Sequence, residues 1–266
     1  NNELIIGSTV SRLSFYNTKE HKLIGRAIVD LPGFTMVRWR NYADLWNNIN
    51  FGLFLKNSLL ISGLTMLISM FLATLTSYAL VRFRFPGSNT FSTSILATQM
   101  VPGVMYLIPL YIMFVKITQI TGIPIKGTIP GLVFIYAAFF LPFSVWILRG
   151  FFSAIPISLE AAATIDGCNP FQTFWKVALP LAVPGIVATG VFVFLLAWDE
   201  LMFAWVLTNE TTMTIPVGIR LFVGNFQNRY DLLMAASTVA TLPVMLLFFF
   251  LQKHIVSGLT AGAVKG

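Results

Sequence analysis

Apolar residues dominate the chain in five long runs separated by short polar stretches. The runs cover roughly residues 57–82, 91–115, 130–149, 181–207 and 233–253. Each comes close to or exceeds the ~20 residues that a helix needs to cross ~30 Å of hydrocarbon. None alternates between apolar and polar positions, as the strands of a membrane β-barrel do. The pattern predicts an all-α polytopic membrane protein with five visible transmembrane helices.

The segment Gly150–Pro180 is the longest polar-containing break in the apolar second half of the chain. Its sequence predicts two short helices. Ser158 is the expected N-cap of the first helix, and Gly167 stands where a left-handed residue would end it. Asn169 is the expected N-cap of the second helix, with Gln172 at the capping-box position.

Both short helices carry apolar side chains. These are Ile157, Leu159, Ala161, Ala162 and Ile165 in the first helix, and Phe171, Phe174 and Trp175 in the second. A compact helix–glycine–helix segment between two membrane spans, with apolar side chains at the membrane surface, predicts a docking site for another protein.

The same segment resembles the EAA loop of permease subunits of type I ABC importers, whose pattern is E-A-A-x(3)-G-x(9)-I-x-L-P. Gly167 matches the glycine, and Val177-Ala178-Leu179-Pro180 fills the end of the pattern. In this register the motif glutamate falls on Ala161, and Glu160 lies one residue early. The resemblance implies a cytoplasmic coupling helix that sits in a groove of an ATPase subunit, through apolar and backbone contacts.

The docking residues that this resemblance implies are Ile157, Ser158, Leu159, Glu160, Ala161, Ala162, Ile165, Asp166, Gly167, Pro170 and Phe171. Other segments resemble the same family in the expected order, namely Asn41-Tyr42, Asn57-Ser58-Leu59, Tyr78 to Gly87, Gln99 to Pro102, and Val256 to Gly266. The last of these is similar to the small permease subunit of maltose-type carbohydrate importers, whose tail reaches between the ATPase subunits. It implies a tail contact through Gly258, Gly262, Lys265 and Gly266.

The resemblance implies one permease subunit of an ATP-driven importer in a prokaryotic inner or plasma membrane, forming half of the pathway for a sugar or oligosaccharide. It implies three kinds of partner: a cytoplasmic ABC ATPase dimer, a second and different permease subunit, and an extracytoplasmic solute-binding protein. The chain has no G-x-x-x-x-G-K-[ST] loop, so ATP and Mg are expected on the ATPase and this chain is not expected to be an enzyme. A non-carbohydrate importer, a passive channel and a membrane-embedded enzyme are the alternatives.

Relatives in this family usually have six spans, so a first span is expected to be missing from this sequence. We expect residues 1–56 to be an extracytoplasmic segment, 57–256 the transmembrane core with its coupling loop 150–180, and 257–266 a cytoplasmic tail. The basic residues agree weakly with this orientation. The cytoplasmic side would hold Arg82, Arg84, Arg149, Lys176, Lys253 and Lys265, and the opposite side Lys116, Lys126, Arg220 and Arg229.

Composition agrees with a membrane protein, because 56% of the residues are hydrophobic and 10% are charged, whereas soluble domains carry about 25% charged residues. The net charge of +7 reflects lipid headgroup contacts and topology, and no nucleic-acid partner is expected. His21 and His254 are far apart and Cys168 is the single cysteine, so neither a metal site nor a disulfide is expected. The basic residues of the outer side leave an acidic oligosaccharide open as an alternative to a neutral sugar.

Polar and proline residues inside the apolar runs are the candidates for the translocation path or its gate. They are Gln99, Pro102, Trp198, Asp199 and Glu200. An ionised acid at the bilayer centre costs about 2.5–3.5 kcal/mol, so the two acids either line the path or lie near the interface against a partner subunit. Gln99 faces either the pore or a neighbouring helix. Prolines 102, 109, 142, 184 and 243 are expected to kink their helices.

Overall fold

The computed structural model describes residues 4–5, 13–17, 22–27, 39–48, 50–83, 85–222 and 229–263. It describes side chains over 39–47, 50–83, 85–222 and 229–252. The chain divides into two compact units, Asn1–Ala43 and Asp44–Gly266.

The first unit contains a three-stranded antiparallel sheet that the apolar pattern did not predict. Its strands are β1 Leu4–Ile5, β2 Leu13–Asn17 and β3 Lys22–Ala27, in the order β1-β2-β3. The register between β2 and β3 shifts at Phe15 and Tyr16. The strands are short, and no long apolar run accompanies them.

The other regular elements of the described chain are helices. The helices are α1 Trp39–Asn48, α2 Phe51–Arg82, α3 Ser88–Ala97, α4 Gly103–Thr121, α5 Ile129–Ala154, α6 Ile157–Ile165, α7 Pro170–Thr173, α8 Leu179–Trp198, α9 Met202–Leu207, α10 Ile215–Arg220 and α11 Tyr230–Ala263. A 3₁₀ turn, Thr98–Met100, lies between α3 and α4, and a π-helical turn, Phe174–Ala178, lies between α7 and α8.

Five helical stretches are long and apolar enough to cross a membrane, which confirms the prediction of a polytopic helical membrane protein, with the sheet of the first unit as an addition to it. They are Phe51–Arg82, Gly103–Thr121, Ile129–Ala154, Pro170–Trp198 and Tyr230–Gln252. In the second compact unit, α2 packs against both α5 and α8. The core between these three helices contains apolar residues of each, among them Ile61, Tyr136, Leu148 and Val193.

The predicted second span, 91–115, is not one continuous helix. Helix α3 ends at Ala97, and Pro102 is the N-cap of α4. Proline has no N–H to donate and forces the preceding residue into an extended conformation, which Val101 adopts with φ −85° and ψ 123°. The expected kink at Pro102 is therefore a break between helices. Prolines 109, 142, 184 and 243 do lie inside helices.

The predicted fourth span, 181–207, was wrong at both ends. Helix α8 ends at Trp198 and α9 begins at Met202, so Asp199 and Glu200 lie in the break between two helices. At the other end, α7 continues through the π-helical turn into α8 and is not a separate helix. The wide turn ends at Ala178, two residues before Pro180, which cannot donate a helical hydrogen bond.

The sequence predicts a C-terminal tail at residues 257–266. Helix α11 continues to Ala263, so the backbone at Gly258 and Gly262 is helical. Lys265 and Gly266 lie outside the described residues. His21 and His254 likewise lie outside the residues whose side chains are described.

Candidate functional site

Helix α6 is the short helix that the sequence singled out for docking, and we call it the docking helix. It begins after Pro156 as N-cap, so the prediction of Ser158 as N-cap was wrong. It ends before Gly167, whose φ of 90° confirms the predicted left-handed residue. A methyl group on Gly167 would meet nothing within 4 Å, so the backbone conformation, and not space, calls for glycine there.

The turn after the docking helix is fixed by the predicted capping box. The backbone N–H of Gln172 donates to Asn169 Oδ1 at 2.9 Å, and the backbone N–H of Asn169 donates to Gln172 Oε1 at 3.0 Å. Two N–H groups at the helix start are thereby satisfied. The capping box therefore fixes the residue at which α7 begins.

Several apolar side chains of this segment are exposed, whereas the predicted flank residue Phe174 is buried. Ile157 is 70% exposed, Ile165 86% and Phe171 70%. The other exposed residues of the predicted docking set are Ser158, Leu159, Ala161, Ala162, Asp166, Gly167 and Pro170. A contiguous exposed apolar surface is typical of an interaction site. We call this surface the docking face.

Glu160 does not belong to the docking face, because it is buried on the opposite side of the docking helix. Arg82 Nε donates to Glu160 Oε1 at 2.6 Å, and the Tyr78 hydroxyl donates to Glu160 Oε2 at 3.1 Å. Arg82 Nη2 also donates to the carbonyl oxygen of Ile155 at 2.9 Å. One glutamate therefore ties the docking helix to the end of α2, and one arginine ties α2 to the end of α5.

Aromatic rings surround this polar contact. The ring centroid of Tyr78 lies 4.8 Å from that of Phe174 and 5.6 Å from that of Phe152. The side chains of Arg82 and Glu160 are only 10% and 11% exposed. An ion pair shielded from water is stronger and less screened by salt than a surface pair. We call these five residues the junction.

The two candidate acids near the end of α8 have different surroundings. Glu200 accepts from the Tyr136 hydroxyl at 2.5 Å and from the backbone N–H groups of Phe203 at 2.9 Å and Ala204 at 3.1 Å. Its carboxylate caps the N-terminus of α9, where negative charge is favourable. Asp199 is exposed at the C-terminus of α8.

Gln99 and Glu200 both contact the same part of α5. Gln99 Nε2 donates to the carbonyl oxygen of Phe139 at 3.0 Å, three residues beyond the tyrosine that binds Glu200. The ring centroids of Phe139 and Phe203 are 4.9 Å apart. The structure thus brings Gln99 and Glu200, two of the candidates for the translocation path, to neighbouring positions on α5. Pro102, which follows Gln99 closely in sequence, is exposed. Trp198 is buried, and its ring stacks on that of Phe194.

A second polar cluster lies at the other end of α2. Asn57 Nδ2 donates to the carbonyl oxygens of Thr211 at 3.0 Å and Met213 at 2.9 Å. The backbone N–H of Ile215 donates to Ser58 Oγ at 2.8 Å. Both side chains are buried. The start of α2 therefore holds the loop between α9 and α10.

In the sequence, Tyr78, Asn57 and Ser58 stood out only as parts of family-like segments, and Arg82 counted also toward the orientation. None of the four was predicted to make these contacts. Tyr136 did not stand out. The available signal was that each is a polar residue within or at the end of an apolar run, where an unpaired polar group is costly and a partner is expected.

Comparison with known proteins decides the family. The inner membrane component of binding-protein-dependent transport systems matches residues 65–261. The chain belongs to this family. It is 36% identical over 218 residues to the diacetylchitobiose uptake system permease DasC of Streptomyces coelicolor, a match that covers 82% of this chain and 77% of that protein. It is also 36% identical over 233 residues to the trehalose transport system permease SugB of Mycobacterium tuberculosis, covering 86% and 83%.

A third relative is the trehalose/maltose transport system permease MalG of Thermococcus litoralis, with 36% identity over 220 residues and coverage of 82% and 77%. Among solved structures, a bacterial ABC transporter that imports the acidic polysaccharide alginate aligns with a TM-score of 0.69 and 20% identity, covering 82% of this chain and 79% of that one. The inward-facing MetNI methionine ABC transporter aligns with a TM-score of 0.61 and 15% identity, covering 84% and 99%. This protein is therefore an inner-membrane permease of the ABC importer class.

Proposed function

We propose that this permease forms half of the translocation pathway of an importer for a sugar or oligosaccharide, and that separate ATPase subunits bind ATP and Mg. The observation that carries the proposal is the docking face. It exposes Ile157, Ile165 and Phe171, while the charged side chain of the same helix is buried. A passive channel has no need of such a surface.

The carbohydrate class is supported by the relatives, whose names give diacetylchitobiose, trehalose and maltose. The alginate and methionine transporters share the fold at no more than 20% identity. Their substrates therefore do not indicate which solute this protein carries. A neutral oligosaccharide is our first candidate, and an acidic one is the alternative suggested by basic residues on the outer side.

In this mechanism a second, different permease completes the pathway and a solute-binding protein delivers the substrate from outside. Closure of the ATPase dimer displaces residues 157–168, and the junction passes that displacement to α2 and α5. The C-terminal segment would reach between the ATPase subunits, with Gly258 and Gly262 near the end of α11 and Lys265 and Gly266 following it in sequence. Gln99 and Glu200 are the polar groups proposed to border the pathway.

The proposal is tested by purifying the tagged chain from its native membranes in mild detergent and identifying the proteins that accompany it. Ile165→Asp places a charge on the docking face at a position that is 86% exposed, so folding is retained. Ile123→Asp is the matched control, because Ile123 is 64% exposed in the loop after α4.

We expect the wild type and Ile123→Asp to carry an ATPase and a second permease, and Ile165→Asp to lose the ATPase alone. An ATPase that binds all three equally would reject the docking face. Purification of the wild-type chain without any ATPase would favour a channel.

Substrate class is tested on the reconstituted transporter with its binding protein. Stimulation of ATP hydrolysis by neutral oligosaccharides alone would reject the acidic alternative. Stimulation by amino acids or other non-carbohydrates alone would reject the carbohydrate assignment.

A further inference from the structure

A cavity of about 760 Å³ lies beside the start of the docking helix. The last three turns of α5 form most of its wall, and α3 lines another side. Pro156 and Leu159 at the start of the docking helix and Leu181 near the start of α8 complete it. This volume falls within the usual range of ligand sites in proteins. The cavity is therefore large enough to hold a ligand.

Most of the cavity wall is apolar. Leu96 of α3, Trp146 and Phe151 of α5 and Leu181 of α8 all line it. Trp146 is 54% exposed, and tryptophan is enriched at the membrane interface, where its ring contacts apolar groups and water together. A small soluble ion would leave these apolar walls without a partner. The ligand that fits them therefore has an apolar part.

The polar part of the cavity carries a positive charge. Arg149 is the one charged residue among the fourteen that line the cavity, and Ser92 and Ser153 add hydroxyl groups. Arg149 is half-buried, and no carboxylate of the residues with described side chains pairs with it. A guanidinium group presents several N–H donors and binds phosphate oxygens well. The polar part of the ligand is therefore expected to be an anion.

The hydroxyl of Ser92 is a second and independent sign of a ligand. Ser92 is 9% exposed, and its Oγ is buried without a hydrogen-bond partner among the described residues. Buried hydroxyls normally have a partner, because a buried unpaired one has lost its hydrogen bonds to water. Since Ser92 lines the cavity, an oxygen atom of a bound ligand could supply the missing acceptor.

The positions of these groups along α5 match the levels of a bilayer. Helix α5 has 26 residues, which corresponds to about 39 Å, so it crosses the ~30 Å of hydrocarbon and enters the headgroup region. Arg149 lies about 7.5 Å from the end of α5 at Ala154, and Trp146 lies about 12 Å from it. The long side chain of Arg149 can therefore reach the lipid phosphates, while Trp146 lies at the edge of the hydrocarbon.

We propose that this cavity binds one anionic phospholipid from the leaflet on the docking-helix side. The lipid phosphate accepts hydrogen bonds from the guanidinium group of Arg149 and the hydroxyl of Ser92. One acyl chain lies along Leu96, Trp146 and Leu181. Basic pockets between transmembrane helices bind the headgroups of anionic lipids, and the apolar wall distinguishes a lipid from a soluble phosphate. The site does not depend on the proposed function, because neither an ATPase nor a solute takes part in it.

The site is tested by photo-cross-linking of the purified transporter in nanodiscs of phosphatidylcholine. The probes are phosphatidylglycerol and phosphatidylcholine, each with a photoactivatable diazirine in one acyl chain, added to separate samples at the same small fraction. Adducts are located by mass spectrometry of peptides. Adducts on residues 143–156 measure binding in the cavity, and adducts on the rest of the chain measure general contact with lipid.

We expect phosphatidylglycerol to label residues 143–156 about fivefold more than phosphatidylcholine, relative to the rest of the chain. Arg149→Gln should remove this excess, because one basic residue near anionic lipid contributes about 1 kcal/mol, which is about fivefold in binding. Arg149→Lys should keep most of it. Lys176→Gln is the matched control, since Lys176 is an exposed basic residue near the start of α8 that does not line the cavity. It should keep the full excess.

Gly150→Leu tests the cavity without removing a charge. Gly150 lines the cavity, and a methyl group there would meet nothing within 4 Å, so a leucine side chain can occupy the space meant for the lipid. Leucine favours a helix more than glycine does, so folding is retained. Labelling of residues 143–156 by phosphatidylglycerol should fall. Gly63→Leu is the control, because Gly63 is a helical glycine of α2 with similar open space outside the cavity.

Four outcomes would overturn the lipid site. Equal labelling of residues 143–156 by both lipids, or equal loss in Arg149→Gln and Lys176→Gln, would show only a general attraction to the membrane surface. Absence of adducts on these residues, with adducts elsewhere on the chain, would show that another subunit covers the cavity. Loss of phosphatidylglycerol labelling in excess inorganic phosphate would show that the site binds a soluble anion.

Discussion

At the residue scale, two glutamates show how this protein places carboxylates within apolar surroundings. Glu160 accepts from Tyr78 and Arg82, and Glu200 accepts from Tyr136 and from two backbone N–H groups. In each case a tyrosine from another helix completes the set of donors. A carboxylate with several donors can remain charged at a position where an unpaired one would be costly.

Tyr136→Phe should destabilise the protein by removing one donor to Glu200 without changing the ring. A hydrogen bond to a charged group contributes about 1.5–3 kcal/mol, so the apparent midpoint of thermal unfolding in detergent should fall. Tyr106→Phe is the control, because its ring packs edge-on against Phe139 with centroids 5.4 Å apart and phenylalanine keeps that contact. Equal midpoints for Tyr136→Phe and the wild type would contradict the proposed contribution.

Asn57→Asp should be more harmful than Asn57→Ala. The amide donates to two carbonyl oxygens in a site that is 2% exposed, and a carboxylate there would face two acceptors without a proton to share. Burying an unpaired charge costs more than losing a neutral hydrogen bond. Hydrogen exchange of residues 211–215 measures the effect. Asn89→Asp, exposed in the first turn of α3, should be neutral, and an equal response at both sites would reject this account of Asn57.

At the scale of single elements, breaks and caps decide where helices begin and end. Pro102 starts α4, Glu200 caps α9, and Gly167 ends the docking helix in a left-handed conformation. Each of these three residues sets the direction of the element that follows it. The docking helix exposes its apolar side because Glu160 and Ala163 face inwards, so its orientation comes from contacts and not from hydrophobicity.

Gly167→Ala should loosen the end of the docking helix. A side chain at φ 90° costs roughly 1–2 kcal/mol, which corresponds to about 5- to 30-fold faster exchange of amides that open locally. Gly150→Ala is the control, because Gly150 is helical in α5 and a methyl group there meets nothing within 4 Å. Exchange over residues 157–169 that is unchanged in Gly167→Ala would show that this end is not held by the glycine.

At the scale of the whole molecule, the two ends of α2 mark the two sides of the membrane. The docking helix lies at the Arg82 end, and the loop around Thr211 lies at the Asn57 end. A helix of this length spans the bilayer, so the two sites face opposite sides of the membrane. We propose, from the family resemblance, that the docking helix lies on the cytoplasmic side.

Sidedness is measured with a membrane-impermeant thiol reagent on Cys168→Ser cells that carry one new cysteine. Glu210→Cys should react in intact spheroplasts. Thr164→Cys should react only after the membrane is made permeable. The reverse pattern would show that the orientation is inverted. Reaction of both cysteines in intact spheroplasts would show that the chain does not adopt a single orientation.

The sequence by itself determined the features that depend on neighbouring residues. The five apolar runs predict the spans, because transfer of a helix into hydrocarbon depends on its own side chains. Gly167 and the Asn169–Gln172 capping box were also predictable, since they act within one turn of the chain. The apolar side chains of α6 were predictable in the same way, whereas the direction in which they point depends on the inward contacts of Glu160 and Ala163.

Only the tertiary structure decided which polar residues meet. Asn57 binds a carbonyl oxygen 154 residues away, and Glu160 binds Arg82 78 residues away. The sequence placed Glu160 on the docking surface, whereas the fold buries it against α2. It placed Asp199 and Glu200 inside a span, whereas both lie in the break between α8 and α9, where Glu200 caps α9. These outcomes depend on contacts between distant segments, whose free energies no local pattern contains.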